Sequence, residues 1–380
     1  MKKILLVYPH NFLERNMGQN NRTYEIMSYL HSKGFIIDLF AFNNFFSDFT
    51  QFDKFNHEKI VRQLYLYDYR KIRIRRIIDR VLLLTKKIIP LKKATLNWVT
   101  KSMRRQFNKL IKNEYDYIVM VYSYTAELLN NKKINSKKIN FVEDFLSIAH
   151  YVNGYSNHLG NLFESEIKLT KYFDDLIYIS NDEKQLFEKL LPDKKHHFLP
   201  HFLYSKKYEN CIKDVDVLFV GHDNPYNIKG IQWFFSEIYP LIDEKTRIVI
   251  AGKVSSHVPV NNKNINLMGF VDDLDVLYKR TKIIICPLLN GTGMKIKVIE
   301  ALSYGIPVVC TSRGVDGFAD KTKNGCLVTD DPAMFANHIN SLNDDEILYT
   351  KKSNEVSNYF NEHFSFVKNT SILNRLFNIG

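Results

Sequence analysis

The stretch CPLLNGTGMKIKVIEALSYGIPVV, residues 286–309, reads as a strand end, a glycine loop, a helix, a glycine stop and a second strand. Apolar strands are expected at Ile283–Pro287 and Val308–Thr311, with a helix over Met294–Tyr304 between them. A helical crossover between two buried strands is the repeating unit of a parallel sheet. Gly291, Thr292 and Gly293 lead into the helix, where unpaired backbone N–H groups and the helix dipole favour an anion. Lys295 and Lys297 put positive charge in the first turn, a place that ordinarily suits carboxylates. A local rule broken in this way marks a position where something negative is held. Glu300 lies at i, i+3 from Lys297 on the same helix face. Flanked by Val298, Ile299, Ala301 and Leu302, its carboxylate is part-buried and needs donors. Two ribose hydroxyls would suit it, and an intrahelical pair with Lys297 is the plainer alternative.

Working outward, the same alternation recurs. Strands at Val215–Val220, Arg247–Ala251 and Ile265–Leu267, with helices at Ile231–Ile242 and Asp273–Arg280, build one α/β domain. Strands at Ile4–Tyr8, Phe35–Phe42, Tyr117–Val121, Asn140–Glu143 and Asp175–Ser180, with helices at Thr23–Lys33 and Leu162–Phe173, build another. Between them, Pro192–Tyr204 has two prolines, three histidines and little periodicity, and reads as a linker. The fold class is therefore α/β, with two Rossmann-like domains facing across a cleft. Tyr349–Phe377 reads as helix and is expected to return to the first domain. Of the 15 glycines, ten fall between Gly221 and Gly325, mostly just after expected strands. Ligands of open α/β sheets bind at the carboxyl ends of strands, which places the small-molecule site in the second domain. A second loop of this kind is Gly221–Gly230, with His222 at its start.

At this point residues 214–318 resemble the donor-binding domain of the group 1 glycosyltransferases, family 4, of GT-B fold. The matching pieces are VDVLFVG, NIKGIQWF, GFVDDLDVLY, the 286–309 stretch and TSRGVDGF, which contains Gly314. The N-terminal ILLVYPH, FVEDFLS and KYFDDLIYISNDEK are similar to the family's acceptor domain more loosely. The resemblance implies a retaining transfer from a nucleotide-diphosphate sugar to a glycan or lipid-linked glycan acceptor in bacterial surface-polysaccharide assembly. It implies no cofactor and no metal. Residues 1–200 would be the acceptor-binding domain, 205–350 the donor-binding domain, and 351–380 a C-terminal helix crossing back. Glu300 would hold ribose hydroxyls; Lys297, with Gly291, Thr292, Gly293, Met294 and Lys295, would hold the diphosphate; Gly221, His222 and Gly314 would complete the donor site. Thr292 stands where many members carry a sugar-contacting Glu, and His222 where a phosphate-binding Arg is common. No equivalent of the acceptor-domain histidine stands near Val121–Thr125. Asp144 is the candidate carboxylate of the acceptor domain, its alternative being a helix N-cap. A catalytically silent relative and a nucleotide-sugar epimerase of the same fold are the competing readings.

A metal-dependent transferase would need Asp-x-Asp after a strand. Asp214–Asp216 precedes one and Asp273–Asp275 opens a helix, so neither is placed for a metal–diphosphate. His196, His197 and His201 lack the further ligands of a metal site. Four cysteines without a C-x-x-C pair suit a reducing compartment, and no run of apolar residues is long enough to span a membrane. A cytoplasmic protein is expected.

The net charge of +12 is concentrated in one place. Between Arg70 and Lys112 there are fifteen basic residues and one acid, Asp79, which leaves the remaining residues at −2. Two basic amphipathic helices are expected here, over 71–89 and 92–112, with Arg73, Arg75, Arg76, Arg80, Arg104 and Arg105 as cations and Trp98 at an interface. Such helices suit an anionic membrane surface on the inner face of the plasma membrane. The alternative is a pair of helices packing their apolar stripes inward. No motif that reads DNA or RNA accompanies the charge, so nucleic acid is not an expected partner.

Overall fold

The computed structural model describes residues 1–15, 18–46, 52–84, 95–207, 211–259, 262–291 and 293–380, with side chains in helix 70–84 described as far as Ile78. Two compact units divide the chain: Met1–Ile179 with Glu183–Phe198, and Ser180–Asp182 with Leu199–Gly380.

The first unit is built on seven parallel strands: β1 (Lys3–Val7), β2 (Ile36–Phe42), β3 (Val61–Tyr67), β4 (Tyr117–Val121), β5 (Lys137–Val142), β6 (Asp175–Tyr178) and β7 (Lys195–Phe198). Their order is β3-β2-β1-β4-β5-β6-β7. Ile4, Leu5, Leu6 and Val7 are buried on both faces of β1, as a central parallel strand requires. The helices are α1 (Gly18–Ser32), α2 (Phe52–Phe55), α3 (Arg70–Leu84), α4 (Lys101–Leu110), α5 (Leu146–Val152), α6 (Leu159–Thr170) and α7 (Asn181–Leu190).

The second unit has six parallel strands: β8 (Val215–Val220), β9 (Ile248–Ala251), β10 (Ile265–Gly269), β11 (Thr281–Cys286), β12 (Val308–Cys310) and β13 (Leu327–Val328). Their order is β10-β9-β8-β11-β12-β13. Around them lie α8 (Pro225–Trp233), α9 (Leu274–Arg280), α10 (Ile296–Ser303), α11 (Pro332–Asp344), α12 (Glu346–His363) and α13 (Phe366–Phe377). Alternation along β11 divides the core: Ile284 and Cys286 join α10 and α12 on one face, Ile283 and Ile285 join α8 and α11 on the other. Val298, Ile299, Ala301 and Leu302 of α10 are fully buried. Each large side chain of that face contributes about 1.5–3 kcal/mol, which fixes α10 and the loop ahead of it.

Both sheets reverse direction of winding once, at β1/β4 and at β8/β11. The carboxyl ends at such a reversal form the crevice where ligands of open α/β sheets bind.

Several expectations change. β7 occupies part of the stretch read as a linker. It is an edge strand paired on one side only, which lets Lys195, His196 and His197 enter a sheet. His196 stacks on Tyr178, and His197 lies 2.7 Å from Asp175. β3 was not anticipated either; it too is an edge, and its Arg62 forks onto the buried Asp38 of β2, with Nε 2.9 Å from Oδ1. The C-terminal segment is two helices, α12 and α13, rather than one. α8 begins at Pro225, six residues before its expected start, because Asn224 accepts from the amides of Tyr226 and Asn227 and Pro225 starts the first turn.

Candidate functional site

The β8/β11 reversal brings together two loops that the sequence keeps 70 residues apart. Gly291 and Gly293 have φ of +114° and +74°, conformations glycine adopts without a Cβ penalty. They turn the chain from β11 into α10, whose cap is Lys295 in extended conformation. Lys295 is buried, donates to the Gly293 carbonyl at 2.7 Å, and lies 3.8 Å from Asp316. Burial pushes its ammonium down from the ordinary lysine range.

Lys297 projects from the first turn of α10 and donates to Oδ1 of Asn227 at 2.8 Å. Its ammonium also sits 4.2 Å from the centre of the Phe219 ring on β8, a cation–π contact worth about 1–2 kcal/mol. Desolvation, only partly offset by Cys286 and Glu300, pushes this lysine down to about 8. The expected alternative of a surface Lys297–Glu300 pair is not the arrangement found.

Asn227 escaped the sequence reading. It is buried at the third position of α8, donates through Nδ2 to the His222 carbonyl at 2.9 Å, and accepts from Lys297. One amide thus ties the β8 loop to the β11 loop. The Asn224-Pro225 helix start was the available signal, since it fixes which residue falls one turn in. Gly221 is boxed by Phe219, Asn227 and Val254, each 3.0–3.2 Å from where a Cβ would stand. Gly252 was also missed: its Cβ would stand 2.2 Å from the Gly221 carbonyl, so the ends of β8 and β9 need both glycines.

Glu300, one turn into α10, accepts at Oε2 from the Tyr278 hydroxyl at 2.9 Å. Burial raises its carboxyl above the usual carboxylate range. Tyr278 stacks on Tyr304 with centroids 4.9 Å apart, and Tyr304 bonds Asp275, which accepts from Lys206 at 2.7 Å. This chain of aromatic rings and charge fixes the carboxylate without neutralising it.

The other expected donor residues are placed as follows. His222 is exposed and lies 2.5 Å from Asp223, while only its carbonyl joins the loop network. Met294 packs against the core beside α10. Thr292 lies outside the described residues. Gly314 is tightly packed: a Cβ there would fall 2.5 Å from Cβ and 2.6 Å from Sγ of Cys310. The acidic pairs are otherwise engaged. Asp214 pairs with Arg280, Asp216 with Arg247, Asp273 caps α9 and Asp275 holds Lys206.

In the first unit the β1/β4 reversal carries its own cluster. Asp144 lines a small recess with Tyr122, Ser123, Glu143 and Glu166. Burial, then Glu143 and Glu166, push its carboxyl up to about 7. Glu143 is paired with the buried Arg22. Asp144 does not cap α5; the amides of Leu146 and Ser147 donate instead to the two oxygens of Glu166, each at 2.9 Å. Tyr122, buried at the end of β4, has a φ of +68°, a strained conformation of the kind that collects at functional sites. No histidine stands near Val121–Thr125 in sequence, yet the fold brings His150 to 3.0 Å from the Tyr124 hydroxyl and puts His10 beside Tyr8.

On the basic insert, α3 leaves Ile74, Ile77 and Ile78 exposed at 57, 54 and 54%, with Arg73 and Arg76 also exposed. Arg80 and residues 85–94 lie outside what is described. α4 starts only at Lys101, where Thr100 caps it by accepting from Met103, and residues 95–100 are not helical. Trp98, expected at an interface, is 9% exposed, stacks on Tyr124 at 4.0 Å, has Phe42 and Tyr69 as further ring neighbours, and carries the Arg76 guanidinium 5.5 Å from its ring centre. Its aromatic neighbours exclude it from a surface role. Among the described residues no helix is long and apolar enough to cross a membrane.

Residues 214–345 match the family model of glycosyl transferases group 1. A Klebsiella pneumoniae protein described as an uncharacterized 44.6 kDa protein in the cps region is 26% identical over 298 residues, covering 70% of this chain and 74% of that one. Sucrose-phosphate synthase from Thermosynechococcus elongatus superposes with a TM-score of 0.66 at 14% identity, covering 100% of this chain and 98% of the other. Alr3699/HepE from Anabaena, in complex with UDP and glucose, superposes with a TM-score of 0.66 at 11% identity over the whole of both chains. Residues 214–345 are thus a group 1 glycosyl transferase domain, and the chain as a whole has the GT-B architecture of two Rossmann-like units.

Proposed function

We propose that the protein transfers a sugar, with retention at the anomeric carbon, from a nucleotide-diphosphate sugar to a glycan or lipid-linked glycan in surface-polysaccharide assembly. The observation that carries this reading is the Lys297–Asn227 link between two glycine loops at the β8/β11 reversal, with Glu300 one turn beyond. The second unit holds the donor. Lys295, Lys297 and the amides around Gly291 and Gly293 hold the diphosphate, and Glu300 accepts from ribose hydroxyls. As the glycosidic bond breaks, negative charge gathers on the leaving diphosphate, and each fixed donor there is worth about 3 kcal/mol. An anionic diphosphate beside Lys297 favours its charged form and raises its lowered value. Two lysines provide this charge without a metal. The UDP complexes of HepE support a nucleotide donor, and the relative from a cps region supports the polysaccharide setting.

The first unit takes the acceptor, with Asp144 at its β1/β4 reversal. α3 rests on the anionic inner surface of the plasma membrane through Ile74, Ile77 and Ile78, framed by Arg73 and Arg76. Sedimentation with anionic vesicles that is indifferent to Arg73→Glu/Arg76→Glu sinks this part.

A thermal-shift series with UDP-, GDP-, ADP- and dTDP-sugars identifies the donor, because a bound ligand raises Tm by mass action. Nucleotide release from that donor, abolished in Glu300→Ala and reduced about tenfold in Tyr278→Phe, is the expected result. No release from any donor overturns the enzyme reading in favour of a silent partner. Conversion of the sugar without acceptor or nucleotide release points to an epimerase.

A further inference from the structure

Between α3 and the start of α4 lies a groove of about 660 Å³ lined by Lys71, Arg75, Lys101, Arg104 and Arg105 around Ile74, Ile78 and Val99. No acid lines it. Arg104 is engaged by Glu127, donating to its carbonyl at 2.8 Å and lying 3.7 Å from its carboxylate. Tyr67 bonds both Thr100 (2.5 Å) and Ser102 (2.7 Å), which anchors the N-terminus of α4 at the groove and adds the positive end of a ten-residue helix. Five cations around one concavity set up a positive potential that favours an occupant of opposite charge.

The charge alone would suit any polyanion. The apolar side of the groove narrows the choice. Ile74 and Ile78 lie at i, i+4 on α3, both exposed, and Ile77 continues the same strip beyond the groove. Exposed isoleucines gain nothing from inorganic phosphate or a nucleic-acid backbone, whereas an acyl or prenyl chain buries them. We propose that the α3–α4 groove is a saturable site for the phosphate head of a lipid phosphomonoester or diphosphate, with its hydrocarbon chain laid along Ile74 and Ile78. The head sits among Arg75, Lys101, Arg104 and Arg105, where bidentate guanidinium contacts distinguish a dianionic phosphate from a phosphodiester. This site rests on the reading of α3 as membrane-facing, and adds to it a preference for one head-group chemistry.

The test is co-sedimentation with phosphatidylcholine vesicles carrying either phosphatidic acid or phosphatidylglycerol, matched in total surface charge. Binding to the phosphatidic-acid vesicles is expected to be about tenfold tighter, a factor worth about 1.4 kcal/mol. Excess inorganic pyrophosphate is expected to reduce it to the phosphatidylglycerol level. Lys101→Glu/Arg105→Glu, both at exposed positions, is expected to abolish the preference, while Arg73→Glu/Arg76→Glu lowers binding to both vesicles equally. Equal binding to the two vesicles overturns the site and leaves the membrane-facing reading standing. A preference that survives Lys101→Glu/Arg105→Glu also overturns it. Binding to neither vesicle overturns both. Pyrophosphate binding to the free protein with vesicle binding unaffected by Ile74→Ser/Ile78→Ser identifies a free-phosphate site and overturns the lipid assignment. The nucleotide-sugar thermal shift of the second unit is read on the same variants and is expected unchanged, so a failure here is distinguishable from failure of the donor reading or from misfolding.

Discussion

Lys297 and Asn227 meet at 2.8 Å, the ammonium of one helix on the side-chain carbonyl of another, although 70 residues separate them in the chain. This bond holds an under-compensated cation at the carboxyl ends of β8 and β11, and it makes Asn227 a positioning residue for Lys297.

Asn227→Ala removes the acceptor for Lys297 and the donor to the His222 carbonyl. Nucleotide-diphosphate affinity, measured by titration calorimetry with the nucleotide that raises Tm, is expected to fall about tenfold, the equivalent of one charge-assisted hydrogen bond. An unchanged affinity would show that Lys297 is positioned by α10 alone.

Lys297 carries a pH signature. Its folded value of about 8 lies below the ordinary 10.5, so between these pH values the unfolded chain binds more protons. Stability of the unliganded protein therefore rises with pH across that window on account of this group. Binding runs the other way: a diphosphate needs the charged lysine, so affinity is expected to drop about tenfold from pH 7 to pH 9. In Lys297→Met affinity is lower throughout and this pH dependence disappears. A parallel drop in wild type and variant would assign the effect elsewhere.

Two glycines separate packing from ligand binding. Gly314→Ala forces a methyl against Cys310 and is expected to lower stability by about 1–3 kcal/mol or more in urea denaturation, through overpacking. Gly293→Ala meets no atom within 4 Å, but its φ of +74° costs about 1–2 kcal/mol and distorts the loop ahead of α10. Nucleotide affinity is expected to suffer in Gly293→Ala and to persist in folded Gly314→Ala.

Asp144 gives the opposite pH slope. Its carboxyl keeps a proton in the folded state up to about 7, whereas the unfolded group loses it near 3.8. The folded state binds more protons in between, so stability falls as pH rises across that window. Asp144→Asn removes this contribution, and its stability advantage over wild type is expected to grow from pH 4 to pH 8 in thermal denaturation. A constant difference would mean that Glu143 or Glu166 takes the proton instead.

Legibility followed the range of the forces involved. β1, β4, β8, β11 and the helix carrying Glu300 were readable because apolar runs and glycine stops act over a few residues. β3 and β7 were not, since edge strands paired on one side tolerate the arginine, lysine and histidines that mimic loops. Trp98 shows the same limit: its amphipathic ring suits an interface, but stacking on Tyr124 is a tertiary outcome. Asp144 read equally well as a cap until Glu166, 22 residues on, was found bonding the α5 amides.

The sequence by itself determined two α/β units, a glycine loop feeding a helix with Lys297 and Glu300 on one face, and one intensely basic insert. Only the tertiary structure decided that Lys297 answers to Asn227, that Glu300 is fixed by Tyr278, and that Gly314 packs tightly against Cys310. It alone showed the α3 isoleucines facing outward beside a cationic groove. Backbone preference and hydrophobic period are encoded locally, whereas burial and the choice of polar partner depend on segments that meet only when the sheet assembles.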